Sequence, residues 1–331
     1  MLFAWLVWSQ FADINTLLKT LREGRLLWVM VAIGLQILYY VLFSGVYWSA
    51  FRTVEVRSNL MRLVPLTFAS IFVNSTVTSG GAAGTVLFVD DARHRGESTA
   101  RATAGTVLVM AADYSAFALL LTIGLVSLIR RHDVTRLEGI SALVMYLLIF
   151  SVFAMLSMGL WSPNGLRRVL TAIQQAVEWV SKLIRRPSLL HDNWAEHNAN
   201  EFISTARTIV QHPVQLLRTA SIALLAHLAD LSTLYILFWA FHQPVTLSVV
   251  IVLYAMTILF WIVSPTPNGI GVIETVMPAI YTSVGLPLEA GTVINLAFRG
   301  ISFWLPLLVG FLSLRLTHSS RSESAAKITT A

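Results

Sequence analysis

An all-α bundle of membrane-spanning helices, two of them broken inside the bilayer, is the fold that this sequence predicts. Three observations predict it. Charged residues make up only 12% of the 331 residues, about half the ~25% found in soluble domains, and mean hydropathy is +0.71. Charge-poor windows recur along the chain, several of them as long as the roughly 20 apolar residues that one span needs. Two of these windows are interrupted by Gly, Pro and Asn, where a continuous helix cannot run. The expectation is about six spans plus two re-entrant or broken helical hairpins.

The elements follow in order. Residues 1–12 are free of charge but short, so they read as a truncated or tilted first helix. Residues 26–51 lie between Arg25 and Arg52 and read as a full span. The window 63–89 breaks around Asn74-Ser75-Thr76 and Gly80-Gly81. Residues 102–129 are apolar except for Asp113, and 139–166 carry no formal charge. Between Arg218 and Glu274 stands a single formal charge, Asp230, and residues 290–314 hold only Arg299.

The stretch 163–217 differs in kind. Arg167, Arg168, Lys182, Arg185 and Arg186 flank an apolar stripe through Leu166, Val169, Leu170, Ile173 and Val177. That spacing predicts a helix lying on the membrane surface, followed by a second amphipathic helix near 195–210. The domain is therefore read as 1–316, with 163–217 as a basic insertion and 317–331 as a polar, Ser-rich tail. Counting Lys and Arg near the ends of the spans places the insertion and the C-terminus in the cytoplasm. The segment 63–89 then enters from the cytoplasm and 247–284 enters from outside. The two halves acquire inverted topology, a plan that puts a transporter's binding site at its broken helices.

Composition excludes several functions. Without cysteine there are no disulfides, thiolate metal sites or Cys nucleophiles. The net charge of +6 sits in short loops between apolar runs, which suits anionic lipid headgroups rather than nucleic acid. No Ser-His-Asp set, phosphate-binding loop or ATPase module is present, so neither an enzyme nor a bound cofactor or metal is expected. The run Gly269-Ile270-Gly271-Val272-Ile273-Glu274 has Glu where a dinucleotide fingerprint needs glycine and lacks a βαβ setting.

The residues left to carry function cluster in two segments. In 264–300, Pro265 and Pro267 stop the helix, while Asn268, Gly269 and Gly271 let the chain turn. Non-helical backbone at membrane depth survives only where it is buried in protein or lines a wet cavity. Glu274 falls in the first turn of the next helix, where the dipole favours a carboxylate. Arg299 sits midway along the last apolar helix and needs a partner there. Glu274 is the first candidate, with Asp230 and Asp113 as alternatives. In 70–101, Asn74, Gly80 and Gly81 offer close packing or exposed amides, and Arg93 follows at the membrane edge. Asp113 is an intramembrane carboxylate in its own right. His227 and Asp230, three residues apart, suit a helix-packing hydrogen bond better than a proton relay.

The run Pro265-x-Pro267-x-Gly269-x-Gly271-x-x-Glu274, with Gly285, Ala290, Arg299, Phe303-Trp304-Leu305-Pro306 and Gly310, resembles the lysylphosphatidylglycerol synthase transmembrane family. The segment Asn74, Gly80-Gly81, Arg93 and Gly96, followed by Asp113, resembles that family's N-terminal motif. The resemblance spans nearly the whole chain and implies a lipid-translocating domain of the cytoplasmic membrane. Its partners would be membrane lipids, anionic ones first, with a second copy of the chain or a separate lipid-synthesising enzyme as protein partners. In bifunctional relatives a soluble aminoacyltransferase domain follows the membrane part. This chain ends at Ala331 and is expected to act without one. The alternative is a non-transporting scaffold or regulatory subunit of a cell-envelope pathway, with the basic insertion as its docking surface.

Overall fold

The structure is a computed structural model that describes residues 24–76, 83–130, 161–183, 193–243, 245–264 and 266–312, with scattered positions between 143 and 158. The expected first segment 1–12, Gly80, Gly81, Pro265 and the tail 317–331 lie outside the described residues. Every described element is helical. Four helices are long and apolar enough to cross a membrane. They are α1 (Leu26–Thr53), α4 (Thr99–Arg130), α7 (Pro213–Ala240) and the last helix, α10 (Leu288–Arg299), which continues through a π turn at Gly300–Trp304 to Leu312. The expected span at 139–166 lies mostly outside the described residues.

Between these spans the two broken windows form helical hairpins. In the first, α2 (Leu60–Thr76) is followed by the short α3 (Thr85–His94). Arg62, at the start of α2, reaches Asp91, near the end of α3, at 3.1 Å. The two ends of the hairpin therefore stand together on one membrane edge. In the second, α8 (Leu247–Val263) turns through a 3-10 turn at Pro267–Gly269 into α9 (Val272–Ser283). Thr257 on α8 meets Met277 on α9, on either side of the break. At 1.5 Å per residue, a 17-residue helix such as α2 or α8 reaches about 25 Å, short of a full crossing with its headgroup regions.

The orientation of each half follows from where α1 meets α7. The Arg25 amide donates to the Ala240 carbonyl at one end, and Ser49 meets Thr219 at the other. The two helices are antiparallel. Consequently α7 starts at the edge where α1 stops, and the second hairpin enters from the edge opposite to the first. Each half is span, hairpin, span, and the two halves are inverted. The tips meet inside the bundle, where Asn268 Nδ2 donates to Ser75 Oγ at 2.8 Å.

Packing explains the register. The main core joins α4, α7, α8, α9 and α10 through Phe117, Leu234, Phe238, Tyr254, Tyr281 and Phe298. A second core joins α1, α2, α3 and α4 around Tyr47, Phe51 and Phe88, with the Tyr47 and Phe88 rings stacked at 3.7 Å. Leu26, Leu27, Met30, Ile37 and Leu38 on α1 remain exposed, as lipid-facing residues should. The insertion forms α5 (Pro163–Leu183) and α6 (Trp194–Gln211). Its apolar stripe buries Leu166 and Leu170 against Ala195, Ala199 and Ile203. The stripe expected to face lipid is thus partly used against α6, while Trp179, Val169 and Ile173 stay exposed.

One close approach holds the last span on the first hairpin. A Cβ at Gly310 would stand 2.2 Å from the Phe68 carbonyl oxygen, which is backbone and cannot swing away. Gly310→Ala is expected to lower stability by about 1–3 kcal/mol, the usual cost of overpacking. Thermal unfolding of the purified protein in detergent checks this, with Gly34→Ala as the control, since nothing lies within 4 Å of that position.

Candidate functional site at the meeting of the broken helices

The break before α9 is built from conformations that few residues accept. Asn268 has φ 51, Gly269 φ 71 and Gly271 φ 82. All three lie in the left-handed region, where glycine is free and asparagine is the best tolerated of the others. Pro267 opens the 3-10 turn, with no amide hydrogen to leave unpaired. Ser264 stabilises the approach by accepting from the Thr266 amide at 3.1 Å.

This turn aims polar groups inward. Glu274, in the first turn of α9, accepts the Gly271 amide through Oε2 at 2.8 Å. Through Oε1 it accepts Arg299 Nε at 2.9 Å, and both side chains are 5% exposed. Glu274 is therefore the partner that Arg299 required. Arg299 Nη2 also donates to the Asn268 carbonyl at 3.2 Å, and its guanidinium lies 4.2 Å from the centre of the Phe303 ring. Asn268 Oδ1 accepts Trp261 Nε1 at 3.0 Å. The first hairpin contributes Ser75, and beside it Asn74 Oδ1 accepts the Gly84 amide at 2.6 Å.

The structure thus gathers Asn74, Pro267, Asn268, Gly269, Gly271, Glu274 and Arg299 at one place, at the depth where the hairpin tips meet. Two expected residues stand elsewhere. Arg93 is exposed near the end of α3, at the base of the first hairpin and not at its tip. Asp113 lies 3.2 Å from His227 Nε2, not beside Arg299. His227 Nδ1 meets the Tyr254 hydroxyl at 2.8 Å, which donates to Asp230 Oδ2 at 3.2 Å. His227 and Asp230 are therefore bridged by α8 instead of bonding within α7. Trp261, Tyr254 and Gln36 escaped the sequence reading, and Ser75 entered it only as part of a break, because hydroxyl, indole and amide groups in apolar helices carry no charge to mark them.

The family model for the lysylphosphatidylglycerol synthase transmembrane region matches residues 1–310. The chain belongs to this family. Among its curated relatives are three UPF0104 membrane proteins of archaea. The one from Pyrococcus horikoshii is 24% identical over 317 residues, covering 92% of this chain and 91% of the relative. That from Methanocaldococcus jannaschii is 20% identical over 309 residues, covering 92% and 89%. That from Methanothermobacter thermautotrophicus is 21% identical over 310 residues, with the same coverage. Family and fold together make this protein an integral, multi-pass, all-α membrane protein.

The arrangement sets up one chemical possibility above others. Arg299 is a permanent cation, held away from water by one carboxylate, one carbonyl and an aromatic face. A phosphate or carboxylate entering between the hairpin tips could replace the single Glu274 bond with a bidentate pair, a geometry guanidinium favours. Glu274 would keep its bond to the Gly271 amide while it releases Arg299.

Proposed function

We propose that this protein carries lipids between the leaflets of the cytoplasmic membrane, with the headgroup passing the Arg299–Glu274 pair while the acyl chains stay in the bilayer. The observation that carries this reading is the buried, exchangeable ion pair where two inverted broken helices meet. Re-entrant tips are where transporters of inverted topology hold substrate, and an arginine at that depth is costly unless it is used or paired. The preferred cargo is an anionic lipid, since its phosphate matches the guanidinium. The protein acts as a transporter and not as an enzyme, and its basic edge, with Arg52, Arg57, Arg62, Arg93 and Arg101, faces the cytoplasm. The lysylphosphatidylglycerol synthase family name supports a lipid setting without naming a cargo.

The test is lipid translocation in proteoliposomes with fluorescent anionic and zwitterionic phospholipids. Wild type is expected to move lipid, the anionic probe faster. Arg299→Ala and Glu274→Gln, checked for monodisperse elution, are expected to lose most of that rate. Movement of no lipid by wild type, or full rates in both folded variants, removes the reading. The pair would then be a packing device of the scaffold class.

A further inference from the structure

The second polar cluster plays no part in headgroup binding as argued above, yet it occupies the centre of the bundle. It draws one side chain or more from each of four helices. Asp113 comes from α4, His227 and Asp230 from α7, Tyr254 from α8, and Gln36 from α1. His227, Asp230 and Tyr254 are 5%, 5% and 0% exposed. The Gln36 amide approaches Asp230, but neither its nitrogen nor its oxygen, nor Asp230 Oδ1, completes a hydrogen bond.

The charges in this cluster do not cancel. Two carboxylates, Asp113 and Asp230, share one imidazole, so with both ionised the cluster carries net negative charge whichever form His227 takes. No cation contacts Asp230 among the described residues; its contacts are a tyrosine hydroxyl and an amide. An ionised Asp230 would leave net negative charge in the membrane interior, which is costly without a partner. A proton supplies the missing charge. We propose that Asp113, His227, Tyr254 and Asp230 form a proton-binding relay that couples lipid movement to a transmembrane proton gradient. The coupling rests on the transport reading above; the proton site does not.

The geometry gives the proton a path in single steps. With His227 neutral and its hydrogen on Nε2, a proton on Asp230 Oδ2 passes to the Tyr254 oxygen as the Tyr254 hydroxyl hydrogen moves to His227 Nδ1. His227 Nε2 stands 3.2 Å from Asp113 Oδ1 without a formed hydrogen bond, so the ring turns toward Asp113 before the Nε2 hydrogen moves to Oδ1. Asp230 ends ionised and accepting from Tyr254, and Asp113 ends protonated. Asp113 is the outlet, because its side chain is 19% exposed against 6% for His227.

Among the described residues, the other titratable groups that face the relay are tyrosines and one arginine. Tyr39, Tyr40 and Tyr47 face it from α1, and Tyr114 from α4. Arg299 approaches Tyr40 from α10. Tyr40 also joins the relay to the lipid site. It lies beside Gln36 and donates to the Ser302 carbonyl at 2.5 Å, inside the π turn that follows Arg299. Such turns are frequent at functional sites. Gln36 and Tyr40 thus stand between Asp230 and the segment that carries Arg299.

Two measurements on the full-length protein test this. Infrared difference spectra across a pH titration in detergent are expected to show a protonated-carboxyl carbonyl band that Asp230→Asn abolishes and Tyr254→Phe retains. In proteoliposomes, an imposed pH gradient is expected to drive the anionic probe into one leaflet. Asp230→Asn and Tyr254→Phe are expected to let the probe equilibrate without accumulating. Absence of a titrating band, or accumulation driven equally well by a sodium gradient, overturns the proposal. A titrating band in a protein that moves no lipid keeps the proton site and removes the transport reading. Tyr254→Phe keeps both carboxylates, so it tests the relay even if Asp230→Asn fails to fold.

Discussion

Glu274→Gln is expected to destabilise this protein more than Arg299→Met does, and combining the two is expected to restore much of the loss. The asymmetry follows from what each change leaves behind. Glutamine can still accept the Gly271 amide, so the turn keeps its cap. Arg299 then stays charged, because guanidinium does not give up its proton in a protein. Only the Asn268 carbonyl and the Phe303 ring remain to it. Removing one partner of a buried pair costs about 3–5 kcal/mol. With methionine at 299, Glu274 keeps the Gly271 bond and the positive end of the α9 dipole, so about 1–3 kcal/mol is expected, the cost of a buried polar atom left unsatisfied. The double variant buries no charge at all. A cycle of the two singles and the double, read by thermal unfolding in one detergent, gives the coupling. The same double variant separates stability from function. It is expected to elute as a folded protein and to translocate no lipid. If Glu274→Gln melts with wild type, the guanidinium reaches water or another anion and the site as described is wrong.

Much of this site was legible before any coordinates, for a physical reason. A formal charge inside an apolar window is an energetic anomaly, so Arg299 called for a partner and Glu274, one turn past a break, was the nearest candidate. Pro267, Asn268, Gly269 and Gly271 were legible because they are poor helix formers in a place that needs helix. Charge bookkeeping along the windows gave the inverted halves, although no residue-level repeat marks them. The relay was only half legible. Asp113 and Asp230 stood out as charges, but their common neighbour Tyr254 lies in the run Leu247–Val263 as one more aromatic among apolar residues. Nothing in spacing tells which helices will pack together, and the pairing of Asp113 with His227 is a property of how α4 crosses α7. Arg93 was legible for position alone. Positive charge near a span reports which edge of the membrane a loop occupies, and Arg93 stands at that edge, at the base of its hairpin. Ser75 was read only as part of a break, and its bond to Asn268 spans the two halves of the molecule.

That bond leads to the second large effect. Asn268→Ala is expected to abolish translocation and to cost more stability than Asn268→Gly. Asn268 does three things at once. Its backbone holds φ 51, its carbonyl takes Arg299 Nη2, and its amide group joins Trp261 on α8 to Ser75 on the other hairpin. Alanine loses the side-chain bonds and resists the left-handed backbone, at about 1–2 kcal/mol for the backbone alone. It also strands the Trp261 indole N–H, adding about 1–3 kcal/mol if the group stays buried and unpaired. Glycine loses the same two side-chain bonds but accepts the backbone, so it preserves the carbonyl that faces Arg299. The difference between Ala and Gly in thermal unfolding therefore measures the turn. What the two share measures the bridge between the hairpins. Ser75→Ala cuts the bridge alone and leaves the turn intact. If the tips must hold together for headgroup passage, Ser75→Ala and Asn268→Gly slow translocation alike while Arg299 keeps its partner. If the tips must part, both variants move lipid faster than wild type. Equal rates in all three proteins would mean that the contact between the tips is incidental to lipid passage, and that the path lies beside the hairpins and not between them.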